Sequence, residues 1–160
     1  MRPDIIQADL KNESQVRQII KILNAYAKEP GGGSTEILPE AQQRLIAEFH
    51  TVDNAIVFLA LIDGNAAGAA VCFRGYSTFA ARPLLNIHDL AVLPEMRNRG
   101  IGTALLDAVA DYARSIDCCK LTLEVLQHNE GARRLYQAAG FRDYGPEEHP
   151  DQSLFLQKSL

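Results

Sequence analysis

The 160-residue sequence has few cysteines and no long apolar run, and these absences exclude several classes of protein. Its three cysteines are Cys72, Cys118 and Cys119, an odd number that does not fit a disulfide framework, and we expect reduced packing residues. No Cys-x-x-Cys or Cys/His cluster has the spacing of a zinc site, so no metal is expected. No segment approaches ~20 consecutive apolar residues, the length of a membrane-spanning helix, so no membrane partner is expected either.

Basic charge is also scarce. The sequence has sixteen Lys and Arg residues and twenty Asp and Glu residues. The resulting net charge of −4 argues against nucleic acid as a partner. Any anion must therefore bind at a local basic loop, while the acidic balance mildly favours cationic substrates. The segment MRPDIIQADLKNES has no apolar stretch of the kind found in signal peptides, so we expect a cytoplasmic protein. The length suits a single domain, residues 1–160.

The order of strand and helix patterns predicts an α/β (α+β) domain with one sheet covered by helices. The predicted strands are 4–10, 54–63, 66–76, 83–94, 119–126 and the segments FRDYG and QSLFLQKSL, and the predicted helices are 14–28, 39–50, 101–116 and 129–140. The Gly64–Asn65 dipeptide predicts a hairpin. Strand 83–94, helix 101–116 and strand 119–126 have the order of a β-α-β crossover, which makes the two strands parallel. Alternation in the last segment indicates an edge strand at which a homodimer can form.

The segment RNRGIG, residues 97–102, stands between a predicted strand and a predicted helix. A helix N-terminus has unpaired backbone N–H groups and about half a positive charge. Glycine at the fourth and sixth positions lets the backbone curl and lets a ligand approach closely. The amides can then surround a phosphate group while Arg97 and Arg99 add cationic donors, an arrangement suited to a pyrophosphate. A glycine-rich turn with solvated arginines fits the spacing equally well.

Two common phosphate-binding motifs do not match this segment. A dinucleotide-binding fingerprint needs glycine three residues after Gly102, where the chain has Leu105. A P-loop needs Lys followed by Ser or Thr after its last glycine, and neither follows here. A nucleotide-binding switch is therefore disfavoured.

The longer stretch HDLAVLPEMRNRGIGTALLDAVADYA resembles the acetyl-CoA-binding motif of the GNAT family, the Gcn5-related N-acetyltransferases. That motif is a strand ending in Leu-x-Val-x-Pro, then Arg/Gln-x-x-Gly-x-Gly/Ala, then a helix, and Arg97, Gly100 and Gly102 occupy its positions. A second motif of the family matches NEGARRLYQAAGF, with Asn129, Ala132, Tyr136, Gly140 and Phe141 at the matching positions. The order of elements agrees with the family over nearly the whole chain.

The resemblance implies the GNAT fold, with a mixed, mostly antiparallel sheet splayed between two parallel central strands, here 83–94 and 119–126, and flanked by helices. Acetyl-CoA is the implied cosubstrate, its pantetheine arm in the gap between these strands and its pyrophosphate on the glycine loop. The implied binding residues are Leu90, Ala91, Val92, Arg97, Asn98, Arg99, Gly100, Ile101, Gly102, Thr103, Asn129 and Ala132.

The resemblance also implies catalytic roles. Tyr136 occupies the position at which the family's tyrosine reaches the CoA sulfur, so we expect a general acid there, although an aromatic that packs against the strands fits too. His88 is the candidate base because imidazole suits proton transfer near neutral pH, and Asp89 is a candidate for binding a cationic substrate. A water chain as base, and structural roles for both residues, remain open.

The implied function is direct transfer of an acetyl group to a primary amine, with a small-molecule acceptor favoured. The alternatives are acetylation of protein lysines or N-termini and a non-catalytic acyl-CoA-binding module. CFRGYSTF and LLNIHDLAV resemble the diamine and thialysine acetyltransferase branch, which usually has Glu-Asp where this chain has His88-Asp89. The loop PGGGSTEI lies where the family shapes its acceptor pocket, so Glu36 is either an amine-binding residue or part of a plain connector.

Overall fold

The computed structural model describes residues 2–29, 35–142 and 158. Strands and helices follow one another in the predicted order within these ranges. Their bounds are β1 Asp4–Gln7, α1 Glu13–Ala27, α2 Pro39–Glu48, β2 Ala55–Ile62, β3 Asn65–Ser77, β4 Arg82–Val92, α3 Ile101–Ser115, β5 Leu121–Leu123 and α4 Glu130–Ala138. Short 3-10 turns follow α2 and β4.

The five strands form one sheet in the order β1-β2-β3-β4-β5. The first four are antiparallel neighbours, and β4 and β5 are parallel, as the predicted crossover requires. The hairpin between β2 and β3 turns at Asp63 and Gly64, which both have positive φ. The mixed, mostly antiparallel sheet that the resemblance implied is therefore present.

The two parallel strands are paired over only three residues. Leu85–Ile87 of β4 pairs with β5, and β4 then continues to Val92 without a described partner on that side. Pairing stops next to a bulge: Val71 of β3 faces Asp89 and Cys72 faces Ile87, so His88 has no counterpart. A bulge bends the strand that carries it, and the pairing of β4 with β5 ends beside it.

Both faces of the sheet are covered. In β2, Phe58 and Ala60 belong to a core with α3, whereas Val57 and Leu59 belong to a second core with α1. This alternation is the period of a strand between two apolar layers. The apolar stripe of α3 contributes fully buried leucine and valine side chains to the first core, and α1 contributes isoleucines to the second.

Several predicted boundaries are corrected. The strand predicted at 83–94 ends at Val92 and the helix predicted at 129–140 ends at Ala138. The strand predicted at 119–126 is reduced to Leu121–Leu123, because the bulge withdraws β4 as its partner. The strand predicted at 4–10 ends at Gln7, because the main-chain N–H of Asp9 already donates to Gln15 of α1. The helix predicted at 39–50 ends at Glu48 and continues as a 3-10 turn. The predicted strands FRDYG and QSLFLQKSL lie largely outside the described residues.

Candidate functional site

The glycine loop folds into a left-handed curl before α3. Asn98 and Gly100 have φ of 61° and 76°, and Gly100 is the residue that precedes the helix. The first helical bond runs from the N–H of Ala104 to the carbonyl of Gly100 at 3.0 Å. The N–H groups of the first helical turn therefore point out of the helix end, as helix geometry requires, and they provide donors for an anion.

These amides face a cavity of about 570 Å³. It lies between the unpaired end of β4, the glycine loop, α4 and the last turn of α1. Its lining residues are Tyr26, Glu29, Leu90, Ala91, Val92, Met96, Arg97, Asn98, Gly100, Ile101, Gly102, Thr103, Asn129, Gly131, Ala132, Leu135 and Tyr136. All the residues predicted to bind acetyl-CoA lie here except Arg99, which is exposed at the rim.

The two glycines of the loop are needed for different structural reasons. An added Cβ at Gly100 would meet no atom within 4 Å, so this position needs glycine for its backbone conformation and leaves open space beside it. An added Cβ at Gly102 would lie 2.9 Å from Cδ2 of Leu135. Gly102 therefore lets α3 and α4 approach closely and form two walls of the cavity.

The main chain of β4 forms another wall. Leu90, Ala91 and Val92 pair with β3 on one edge. Their other edge has no strand partner among the described residues, since β5 has already ended. Backbone groups of this free edge can bond a ligand in the gap, because buried backbone groups need partners.

Arg97 turns back into the protein. Its Nε donates to the carbonyl of Val92 at 3.1 Å, and its Nη2 donates to Oε1 of Glu29 in a salt bridge. This salt bridge joins the end of α1 to the glycine loop. The sequence predicts Arg97 as a cationic donor to an anion, but in the structure its charge is paired with the carboxylate of Glu29.

Asn129, which caps α4, and Tyr136, about two turns further along the helix, both line the cavity. Asn129 caps the helix, its Oδ1 accepting from the N–H of Ala132 at 3.2 Å. Tyr136 is 9% exposed, and its ring meets the ring of Phe141 edge-on at 5.8 Å. Burial, and then the nearby Tyr26 and Asp89, raise the pKa of Tyr136 to about 12. The phenol therefore stays protonated at neutral pH and is able to donate a proton.

His88 and Asp89 do not line the cavity. The imidazole Nδ1 of His88 lies 3.0 Å from Oδ2 of Asp89, and the side chains are 63% and 27% exposed. Neighbouring side chains on a regular strand point to opposite faces, so the bulge at His88 is what allows this contact. Asp89 nevertheless influences two cavity residues. Burial is the main cause of the raised pKa of Tyr26 and Tyr136, and the carboxylate of Asp89 raises both values further.

Tyr26 and Glu29 are cavity residues that sequence reasoning missed. They lie at the end of α1, just before the glycine-rich loop to which the sequence assigned the acceptor pocket. Glu36, the carboxylate predicted there, instead forms a salt bridge with Lys28 and does not line the cavity. The position of Tyr26 and Glu29 next to that loop was the signal available in the sequence. It did not show that the residues before the loop, and not Glu36 after it, line the cavity.

The three cysteines are free thiols, and burial raises the pKa of Cys72 to about 12, as expected of an inert packing residue. Among the described residues no group of His, Cys, Asp and Glu is arranged to hold a metal ion. None of the helices in the described part of the chain has the length and apolarity to cross a membrane.

A model of the acetyltransferase (GNAT) family matches residues 18–141, which include the glycine loop, the end of β4 and α4. The chain belongs to this family. The predicted family is thereby confirmed, and the predicted α/β fold agrees with the mixed sheet and its flanking helices. GNAT enzymes use acetyl-CoA as cosubstrate.

Curated relatives of this GNAT chain match over part of their length. An uncharacterized N-acetyltransferase of Bacillus subtilis is 30% identical over 89 residues, 56% of this chain and 60% of that protein. The thialysine N-epsilon-acetyltransferase of Bos taurus is 37% identical over 76 residues, 48% of this chain and 44% of that protein. The chain thus spans about half the length of the curated relatives it matches.

Solved structures agree over the whole fold at lower identity. A probable acetyltransferase has a TM-score of 0.80 at 19% identity, covering 98% of this chain and 99% of that one. An aminoglycoside acetyltransferase from an uncultured soil metagenomic sample, solved with sisomicin, has a TM-score of 0.79 at 17% identity over 99% of this chain and 96% of that one. These likenesses concern the fold.

Proposed function

We propose that this chain is an acetyl-CoA-dependent N-acetyltransferase that transfers the acetyl group directly to a primary amine of a small molecule. The observation that carries this proposal is that the glycine loop, the free edge of β4 and Tyr136 line one cavity of about 570 Å³. A cytoplasmic location and a homodimer remain predictions from the sequence.

The coenzyme is held by main-chain groups. The amides of Ile101, Gly102 and Thr103 and the positive end of the α3 dipole bind the pyrophosphate. The free edge of Leu90–Val92 bonds the amide groups of the pantetheine arm. Asn98 shapes the loop through its positive φ, while Asn129 and Ala132 at the start of α4 form the opposite wall.

The amine must lose a proton before it can react. A lysine-like amine with a pKa near ~10.4 is neutral in only about one molecule in 2,500 at pH 7, a handicap of ~4.6 kcal/mol. His88 is the proposed base: Asp89 accepts from Nδ1–H and orients the ring, which leaves Nε2 able to take a proton. Because the His88 side chain is largely exposed, a water molecule relays the proton from the cavity.

Bound acetyl-CoA supplies a thioester carbonyl that the amine attacks and a thiolate that leaves. A backbone amide near Val92 stabilises the negative charge that develops on the oxygen of the thioester carbonyl. Tyr136 donates its phenolic proton to the departing sulfur as the carbon–sulfur bond breaks. The nitrogen of the adduct releases its extra proton to solvent as the amide forms, and solvent returns a proton to the tyrosine. A phenol whose pKa is raised to about 12 is present in the donating form throughout the neutral range.

The carboxylates beside the cavity favour a cationic acceptor. Glu29 lines it, and Asp89 acts on its two tyrosines. The relatives named for thialysine support a diamine-like acceptor, and we take thialysine as the first candidate. This chain has His88 where the diamine and thialysine branch usually has glutamate. Acetylation of protein amines therefore stays as the alternative.

The test is a panel of amines and peptides incubated with acetyl-CoA, followed by thiol release and by mass spectrometry of the products. We expect acetylation of one or more small cationic amines. Acetylation of peptides alone would replace the small-molecule proposal with protein acetylation. Binding of CoA without turnover of any acceptor would indicate a non-catalytic module.

A further inference from the structure

The arginine of the coenzyme-binding motif is already satisfied by the protein itself. Arg97 bonds the carboxylate of Glu29 and the carbonyl of Val92 at once. Both Arg97 and Val92 belong to the proposed coenzyme site. An approaching pyrophosphate therefore meets an ion pair instead of a free guanidinium. The pantetheine arm meets a Val92 carbonyl that already accepts a hydrogen bond from Arg97.

Arg99 differs from Arg97 although they flank the same loop residue. Its side chain is exposed and forms no ion pair or hydrogen bond within the described ranges. An anion can thus meet Arg99 and the helix amides first. Arg97 becomes available only after it leaves Glu29.

We propose that Glu29 and Arg97 form an exchangeable latch: the coenzyme's pyrophosphate takes over Arg97, and Glu29, once released, becomes a specificity-determining carboxylate for a cationic acceptor. This inference rests on the proposed function. It makes the affinities for coenzyme and acceptor mutually dependent, because a group that binds Glu29 also frees Arg97.

The position of Glu29 supports its second role. Its side chain is 29% exposed and lines the same cavity as Tyr26 and Tyr136. Tyr26 lies within electrostatic reach of two carboxylates, since Asp89 and Glu29 both raise its pKa after the effect of burial. A released Glu29 would therefore join Asp89 in attracting a positively charged amine to this end of the cavity.

The first test measures ligand binding by calorimetry with CoA and with S-acetylpantetheine, which has no pyrophosphate. Glu29→Gln frees Arg97, so CoA should bind about two- to fivefold more tightly, the change that corresponds to a partly exposed ion pair. Binding of S-acetylpantetheine should change less than about 1.5-fold.

Two controls separate the latch from a general charge effect. Glu36→Gln removes the same charge from a carboxylate outside the cavity and should leave CoA affinity within about 1.5-fold. In an Arg97→Met background, Glu29→Gln should give no further gain. An unchanged or weaker affinity of Glu29→Gln for CoA, or an equal gain in the Arg97→Met background, would overturn the latch.

The second test uses the amine that the panel identifies, at saturating acetyl-CoA. Glu29→Gln should raise the KM for that amine several-fold and more than it lowers kcat, whereas Glu36→Gln should leave the KM within about twofold. An unchanged KM in Glu29→Gln would overturn the acceptor role. If CoA fails to bind the wild-type chain, the proposed function fails; if CoA binds but Glu29→Gln does not alter its affinity, only the latch fails.

Discussion

Replacing Tyr136 with phenylalanine removes one hydroxyl from the cavity and leaves the ring that packs against Phe141. If this hydroxyl protonates the departing thiolate, turnover should fall while binding of acetyl-CoA is largely kept. Tyr112→Phe is the matched control. Tyr112 packs edge-on against Phe58 in the core beside α3 and does not line the cavity.

Burial keeps the phenol of Tyr136 in its proton-donating form. With a pKa of about 12, only about one Tyr136 in ten thousand is ionised near pH 8. Loss of a positioned general acid typically costs ~10²- to 10⁴-fold, so kcat should fall by at least about a hundredfold. Loss of one hydrogen bond changes ground-state affinity by about tenfold at most. Wild-type turnover should also show no alkaline decline from this group until pH nears about 12.

The assay is a steady-state thiol-release measurement with the amine from the panel, combined with calorimetric binding of CoA. A kcat of Tyr136→Phe within about threefold of wild type would refute the role as proton donor. Equal losses in Tyr136→Phe and Tyr112→Phe would show that the effect comes from packing. Either result would leave the coenzyme site in place and return the leaving-group proton to solvent.

Three further predictions concern the loop, the base and the core. Gly100→Glu should abolish calorimetric CoA binding because it adds a carboxylate and a strained backbone to the anion site, whereas Gly100→Asn, which tolerates positive φ, should bind within about tenfold; normal affinity of the glutamate variant would contradict the site. His88→Ala should shift the alkaline-rising limb of kcat/KM against pH, and an identical profile would assign His88 to structure. Burial, followed by Asp89, raises the pKa of Cys72 from 9.0 to about 12, so the unfolded chain loses this proton first as pH rises and stability declines through that window. Between about pH 8 and about pH 10.5, the free energy of unfolding of Cys72→Ala, measured with denaturant, should therefore fall by about 2 kcal/mol less than that of the wild type. Equal decreases in the two proteins would contradict the assignment.

Local sequence was sufficient for most of the fold. The apolar periodicity of α3 and the hairpin between β2 and β3 are decided by neighbouring residues. Both are present as predicted, although the hairpin turns at Asp63 and Gly64, one residue before the predicted Gly64–Asn65 pair. The boundaries that moved depend on distant partners. β5 is short because its pairing with β4 ends beside the bulge at His88, and nothing within 119–126 records that bulge.

The candidate site divides along the same line. The loop glycines and the tyrosine of α4 could be predicted, because a left-handed turn and a helical face are properties of a few consecutive residues. The pairing of Arg97 with Glu29 joins residues 68 positions apart, and the contact between His88 and Asp89 requires a bulge. By itself the sequence determined the order of the strands and helices and most of the candidate side chains of the site. Only the tertiary structure decided which charges meet and which carboxylate faces the cavity, because Coulomb interactions depend on separation in space.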